Sequence, residues 1–213
     1  MKKTYLILVG VALIMCNTVD AATLNLKLYI EGYYLGSGQM QPVMYNEGVA
    51  GALTTQTDTI VVELHDSANA SIVVASFQGV LLVDGTIACT FPNSVIGNSY
   101  YIAVRHRSAI QTWSAAPLSM SATTSYDFSS AQTQAYDNYM VRVDISPDTW
   151  AFYIGDINQD GNIDQIDWPP FDIAGRNSLF GYYATDLNGD GNNDVLDFQI
   201  MHDNCVGIYS HHP

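Results

Sequence analysis

Two stretches of the chain set oxygen-bearing side chains at alternate positions around a glycine. The first reads Asp156-Ile157-Asn158-Gln159-Asp160-Gly161-Asn162-Ile163-Asp164-Gln165-Ile166-Asp167. The second reads Asp186-Leu187-Asn188-Gly189-Asp190-Gly191-Asn192-Asn193-Asp194-Val195-Leu196-Asp197. The chemistry this suits is binding of a hard cation. Calcium takes about six to eight oxygens at about 2.3–2.6 Å, and a twelve-residue loop supplies them from positions one, three, five, seven, nine and twelve. Asp156, Asn158 and Asp160 fill the first three places of one loop, and Asp186, Asn188 and Asp190 those of the other. Gly161 and Gly191 stand at position six, where the chain must turn with positive φ. Asn162 and Asn192 offer a backbone carbonyl, Asp164 and Asp194 occupy position nine, and Asp167 and Asp197 close the loops. Asn- and Asp-rich surface turns without metal are the plainer reading. Two complete loops at a constant offset of 30 residues favour two calcium ions.

The elements that must position these loops are small. Tyr153-Ile154-Gly155 precedes the first loop and Tyr182-Tyr183-Ala184-Thr185 the second, and neither stretch reads as a helix. A helix follows each loop instead. The repeat runs on into these helices, with Trp168 matching Phe198 and Phe171 matching Met201, which predicts apolar contacts between two copies of one unit. Pro169-Pro170 is tolerable only in a first helical turn, so the first helix must be short or restarted. Asn193 stands at position eight, where the first loop has Ile163.

A duplicated calcium loop, each followed by a helix and closed by Asp rather than Glu, resembles the type I dockerin family. The resemblance covers Gly155 to about Tyr209. It implies a small calcium-dependent fold, of the kind that docks onto cohesin modules and tethers secreted polysaccharide-degrading enzymes. Positions ten and eleven carry cohesin recognition in that family and are usually small and polar. Here they are Gln165-Ile166 and Val195-Leu196, mostly apolar. The implied partner is therefore a protein, either cohesin-like or a further copy of the chain.

Ahead of the loops the pattern is strand and turn. Leu24 to Ile30 alternates apolar and polar residues, while Thr59–Leu64 and Ser71–Phe77 are β-branched runs. Gly79–Leu82, Thr86–Phe91, Ser99–Arg105 and Tyr139–Ile145 are further candidate strands, punctuated by Gly85, Pro92-Asn93 and Gly97-Asn98. Seven or eight short strands at this spacing predict an antiparallel, Ig-like β-sandwich. The expected organisation is a sandwich over residues 22–154 and a dockerin-like α module over residues 155–213, packed together because no Pro- or Ser-rich linker separates them.

Residues 1–21 read as a secretory leader: Lys2-Lys3, an apolar run from Tyr5 to Met15, and small residues around Ala21. The run is too short for a permanent bilayer span. A lipidated Cys16 is disfavoured by the bulky Met15 before it. The expected location is extracellular or at the cell surface, where Cys89 and Cys205 could pair or remain free thiols. The net charge of -14 leaves no basic stripe for nucleic acid. Ten of the 21 acidic residues lie between Asp156 and Asp203, which places that charge on the loops.

No catalytic signature accompanies the loops. Glu31, Glu47 and Glu63 are not paired by any local motif, and no nucleophile elbow, zinc helix or phosphate loop is present. His65, beside Asp66, reads as a surface histidine. His106, between Arg105 and Arg107, reads as part of a solvated strand face, and His211-His212 as a frayed end. Tyr33-Tyr34, Tyr100-Tyr101, Trp113 and Trp150 could form a glycan platform, although period-two alternation sends one Tyr of each pair inward. The expectation is a secreted, non-catalytic calcium-binding protein for adhesion, assembly or anchoring. A carbohydrate-binding accessory protein is the alternative, followed by a small hydrolase.

Overall fold

The computed structural model describes residues 21–213. Apart from Ala21, the leader reading lies outside the described residues, as does Cys16. The sandwich strands run β1 (Ala21–Lys27), β2 (Tyr34–Gly36), β3 (Gln39–Met40), β4 (Gln56–Asp66), β5 (Val73–Leu82), β6 (Thr86–Pro92) and β7 (Ser99–His106). β8 (Thr112–Trp113), β9 (Leu118–Ser119), β10 (Thr123–Asp127), β11 (Val141–Ile145) and β12 (Asp148–Ala151) follow, and a one-turn α1 (Val43–Asn46) is the α-helix of this part. One sheet has the order β10-β1-β6 and the other β5-β4-β7-β8, with β9 also on β7.

Period-two alternation builds the core. Leu24 and Leu26 of β1, Ile60, Val62 and Leu64 of β4, and Ile102 and Val104 of β7 are all buried. Between β5 and β6 the chain turns at Gly85 (φ +81°), where a Cβ would stand 2.6 Å from the Leu28 carbonyl oxygen, so the turn requires glycine. Asp66 Oδ1 accepts from the backbone N–H groups of Ala68 and Asn69 and fixes the turn after β4. The expected strands are present, but the sheets are not purely antiparallel. β1 pairs parallel with β10, Leu24 opposite Thr124, while its other edge pairs antiparallel with β6. A parallel neighbour needs a long crossover, which the chain supplies through all the strands between.

The tail adds β13 (Asn162–Ile163), α2 (Trp168–Arg176), α3 (Val195–Asn204) and β14 (Ile208–Tyr209). Each helix follows its loop. Pro169-Pro170 falls in the first turn of α2, where the missing N–H groups cost no helical bond. Asp194 and Asp197 form a reciprocal capping box at the start of α3. Trp168 packs on Phe198 with ring centroids 5.3 Å apart, and Phe171 and Met201 are both buried. Ile163 does not bury itself against the second loop. It pairs with Ile208 across β13 and β14. Asn193, with its amide turned to match its neighbours, donates to the Thr185 carbonyl and accepts from Gly175 N–H, each at 2.8 Å.

Phe171, Leu187 and Met201 belong to the same hydrophobic core as the sandwich strands. Gly32 lies against the Leu187 carbonyl, where any Cβ would collide. Asn204 Nδ2 donates to Glu31 Oε2 at 2.5 Å and to the Ile154 carbonyl at 2.8 Å. The chain end is packed rather than frayed: His211 stacks on Tyr139 at 4.1 Å, and Ser210 Oγ donates to the Gln111 carbonyl at 2.7 Å. Among the described residues no helix is long and apolar enough to cross a membrane.

Candidate metal centres

The two Asp loops have most of their hydrogen bonds in common and differ at position four, where Gly189 N–H donates to Asp186 Oδ1 and Gln159 Nε2 donates to the Asp156 carbonyl. In the first, Asp167 Oδ1 accepts from Ile157 N–H (2.8 Å) and Asn158 N–H (3.1 Å), and its Oδ2 accepts from Asp164 N–H (3.0 Å). In the second, Asp197 Oδ1 accepts from Leu187 (2.7 Å) and Asn188 (3.0 Å), and its Oδ2 from Asp194 (2.8 Å). Position twelve thereby pulls positions two, three and nine around itself. At the other end, Asp156 Oδ2 accepts from Gly161 N–H and Asp186 Oδ2 from Gly191 N–H, at 3.1 and 2.7 Å. Both glycines adopt φ +88°, as the turn at position six demands. Asn158 and Asn162 donate to Asp160, and Asn188 and Asn192 to Asp190, at 2.9–3.0 Å. Asp164 and Asp194 each accept the N–H two residues on, at 2.7 and 2.8 Å.

Hydrogen bonds thus tie the side chains of Asp156, Asn158, Asp160, Asp164 and Asp167 into one loop, and those of Asp186, Asn188, Asp190, Asp194 and Asp197 into the other, with Asn162 and Asn192 donating to Asp160 and Asp190. As placed, no three acidic, His or Cys side chains among the described residues converge closely enough to cage an ion. Their oxygens are held by backbone N–H groups and Asn amides. The donor set is nevertheless all oxygen, and four of its carboxylates, Asp156, Asp167, Asp186 and Asp197, are buried. Among the described residues none of these four is paired with Lys, Arg or His. Buried carboxylates need a compensating positive charge. A divalent cation fits that need and the hard-oxygen donors.

The cost of leaving them uncompensated is visible in their acidities. Burial raises Asp156 to about 6, with Asp167 and Asp160 adding repulsion. Burial likewise raises Asp197 to about 6 and moves Asp167 upward. Unfolded Asp titrates near ~3.9, so in ion-free solution the folded chain takes up protons between about pH 6 and 4 that the unfolded chain does not. Such stability is present at low pH and is lost as pH rises through the folded value. In chelator, the melting temperature is therefore expected to be higher at pH 5.5 than at pH 7.5. Equal values, or a higher one at pH 7.5, would contradict this account of the loops.

A second polar cluster joins the sandwich to the tail. Arg107 donates through Nε to Asp58 Oδ2 (2.9 Å) and through Nη2 to Glu47 Oε1 (2.7 Å) and the Tyr33 hydroxyl (3.1 Å). It also donates to the Tyr183 carbonyl, and its guanidinium lies 4.1 Å from the Tyr182 ring centroid. The Tyr182 hydroxyl donates to Asp58 Oδ1, and His106 Nε2 lies 3.0 Å from Asp58 Oδ2. His106 and Arg107 are therefore not on a solvated face but hold internal carboxylates. Despite the upward push of burial, His106 and Arg107 keep the Asp58 carboxyl well below the usual range. Burial pushes Glu47 up to about 9, against the pull of Arg107 and with Asp186 adding to the rise.

His65 is also buried, between the Ala70 carbonyl (2.6 Å) and Glu63 (3.0 Å), with Trp113 at 4.2 Å. It lies on the same face of β4 as Glu63, where the Trp113 ring packs on it. Glu31, Glu47 and Glu63 each engage an internal partner rather than one another. Tyr33, Tyr100 and Trp113 are core residues, and Tyr34 and Tyr101 lie half-buried outside them. Cys89 and Cys205 are free thiols, and Trp168 Nε1 donates to Cys205 Sγ at 2.9 Å.

No protein-family model matches the sequence, and no curated protein matches it significantly. Two solved structures do resemble it in fold. Both are type II cohesin–X-dockerin complexes from Acetivibrio cellulolyticus, one a C-terminal and the other an N-terminal interface mutant. Their TM-scores are 0.51 and 0.50 at 15% identity, covering 86% of this chain and 94% of the matched chain in each. A match over 86% of 213 residues is longer than everything before Gly155, so it takes in part of the tail as well as the sandwich. What the likeness establishes is a fold, that of a mainly β chain with few helices.

Proposed function

We propose that this chain is a non-catalytic, calcium-dependent interaction protein acting outside the cell. Its tail is read as a divergent dockerin-like module that docks onto another protein in adhesion, assembly or anchoring. The observation that carries this reading is the exposure of apolar side chains at loop positions ten and eleven. Val195 is 73% exposed, Ile166 63% and Leu196 57%, although the tail has a common core with the sandwich in which they could have been buried. Beside them an apolar groove of about 510 Å³ opens between α2 and α3, lined by Trp168, Phe171, Val195 and Phe198. Exposed apolar residues around a groove mark a protein-binding face. The two structural neighbours, both cohesin–X-dockerin complexes, support a protein as the partner.

The test is a Val195→Glu/Leu196→Glu variant, measured against a type II cohesin module and against the chain itself in millimolar calcium. Both residues are solvated, so stability should stay within about 0.5 kcal/mol of wild type. Binding should fall by at least about tenfold, since charging a desolvated interface costs about 1.4 kcal/mol or more. If wild type binds neither partner at micromolar concentration, docking through this face is wrong.

A further inference from the structure

Loop two is not built from the tail alone. The turn at Gly191 backs directly onto α1: a Cβ there would stand 2.9 Å from the Asn46 carbonyl oxygen. Asn46 Nδ2 donates to the Gly189 carbonyl at 3.0 Å. Next in sequence comes Glu47, 8% exposed, with Oε1 held by Arg107 at 2.7 Å. Its other oxygen, Oε2, is buried and has no hydrogen-bond partner. Glu47 packs on the same turn: a Cβ on Gly191 would stand 3.7 Å from Glu47 Cα, and Gly191 N–H donates to Asp186 Oδ2, the position-one carboxylate of loop two. A buried carboxyl oxygen without a partner requires a proton or a positive charge on its own side. Arg107 serves Oε1, and Oε2 is left without a partner in the residue packed on the loop-two turn. Among the described residues, loop one has no such unpartnered buried carboxyl oxygen beside it. The charged groups that bear on Asp156 are Asp167 and Asp160 of its own loop, and the residue packed on Gly161 is Ser210.

We propose that Glu47, contributed by the sandwich, is an outer-sphere carboxylate of the second calcium loop, so that an ion in that loop binds both parts of the chain together. The proposal rests on the calcium reading above and assigns to it a residue that no loop pattern contains. Groups behind a ligand typically tune metal affinity by about 10–100-fold. The two loops are therefore unequal, and the second alone reports on whether the tail is docked.

The experiment is a calcium titration of the full chain followed by nuclear magnetic resonance at the Gly161 and Gly191 amides, each of which donates to the position-one carboxylate of its own loop. In Glu47→Gln, which keeps an oxygen for Arg107, the Gly191 midpoint should move to about tenfold higher calcium while the Gly161 midpoint stays. Glu47→Asp retains the charge at greater distance and should shift Gly191 by less; it carries the test if Glu47→Gln does not fold. If wild type takes up no calcium, the calcium reading itself falls. If wild type binds two ions and the Gly191 midpoint is unchanged in these variants, or Gly161 moves by the same factor, Glu47 has no part in the site.

Discussion

Chelating calcium from the full chain is expected to lower its melting temperature by about 10–20 °C. A ligand at 100 times its dissociation constant stabilises the folded state by about 2.7 kcal/mol per site. Two loops then contribute about 5 kcal/mol, and a chain of this size moves about 2–4 °C per kcal/mol. The physical source is the set of buried carboxylates, Asp156, Asp167, Asp186 and Asp197, which among the described residues have no cationic side chain to offset them. Hydrogen bonds from the loop backbone fix their positions without supplying charge. Calorimetric titration should return two ions per chain, and magnesium should substitute poorly because it holds its waters and demands octahedral geometry. A chain that melts at the same temperature in calcium and in chelator, with no heat of binding, would reduce both loops to Asx turns. The dockerin-like reading would go with them.

The loops were legible because most of what shapes them is local. Position twelve meets positions two, three and nine of the same twelve residues, and position six needs only a glycine. The Pro pair at the head of α2 and the contact of Trp168 with Phe198 could be read for the same reason: offset and helical register carry them. What escaped is what the chain assembles from distant parts. The parallel pairing of β1 with β10 joins residues 100 positions apart, and nothing in either strand's alternation names its neighbour.

His106 offered a usable signal that was not taken. Counting by twos from Tyr100 through Ile102 and Val104 places it on the buried face, where a histidine must find a partner. That partner, Asp58, is 48 residues away and could not be named from sequence. His65 gave no such signal. It follows buried Leu64 and so points to the other face of the sheet, where the Trp113 ring, from a distant strand, packs on it. Position eight differs between the loops: Ile163 pairs with Ile208 near the chain end, while Asn193 is engaged with Thr185 and Gly175.

Replacing Arg107 with Ala is expected to cost about 3–5 kcal/mol, the largest loss from any single side chain in the region that joins sandwich to tail. The guanidinium compensates Asp58 and Glu47 together, both fully buried, while only 17% of its own side chain is exposed. It also holds the Tyr183 carbonyl and supports the Tyr182 ring, three to four residues before Asp186. Removing one partner of a buried ion pair leaves the other charge uncompensated, which costs far more than the pair contributes when intact. Lysine would restore charge but not the fork that reaches Asp58 and Glu47 at once, nor the flat face that stacks on Tyr182. Arg107→Lys should therefore recover only part of the loss.

The cause can be separated from mere packing by adding Asp58→Asn to Arg107→Ala in chelator, since Asp58 is the buried carboxylate held in its charged form. If stranded charge is the reason, the double variant unfolds at higher urea than Arg107→Ala alone. If the two losses simply add, the arginine acts through its bulk. Proteolysis reads the same event locally. With Arg107 gone, the stretch from Asn177 to Thr185 keeps the Tyr182–Asp58 bond but loses its hold at the Tyr183 carbonyl, and it should be cut first, before the strands that bury Ile60, Val62 and Ile102.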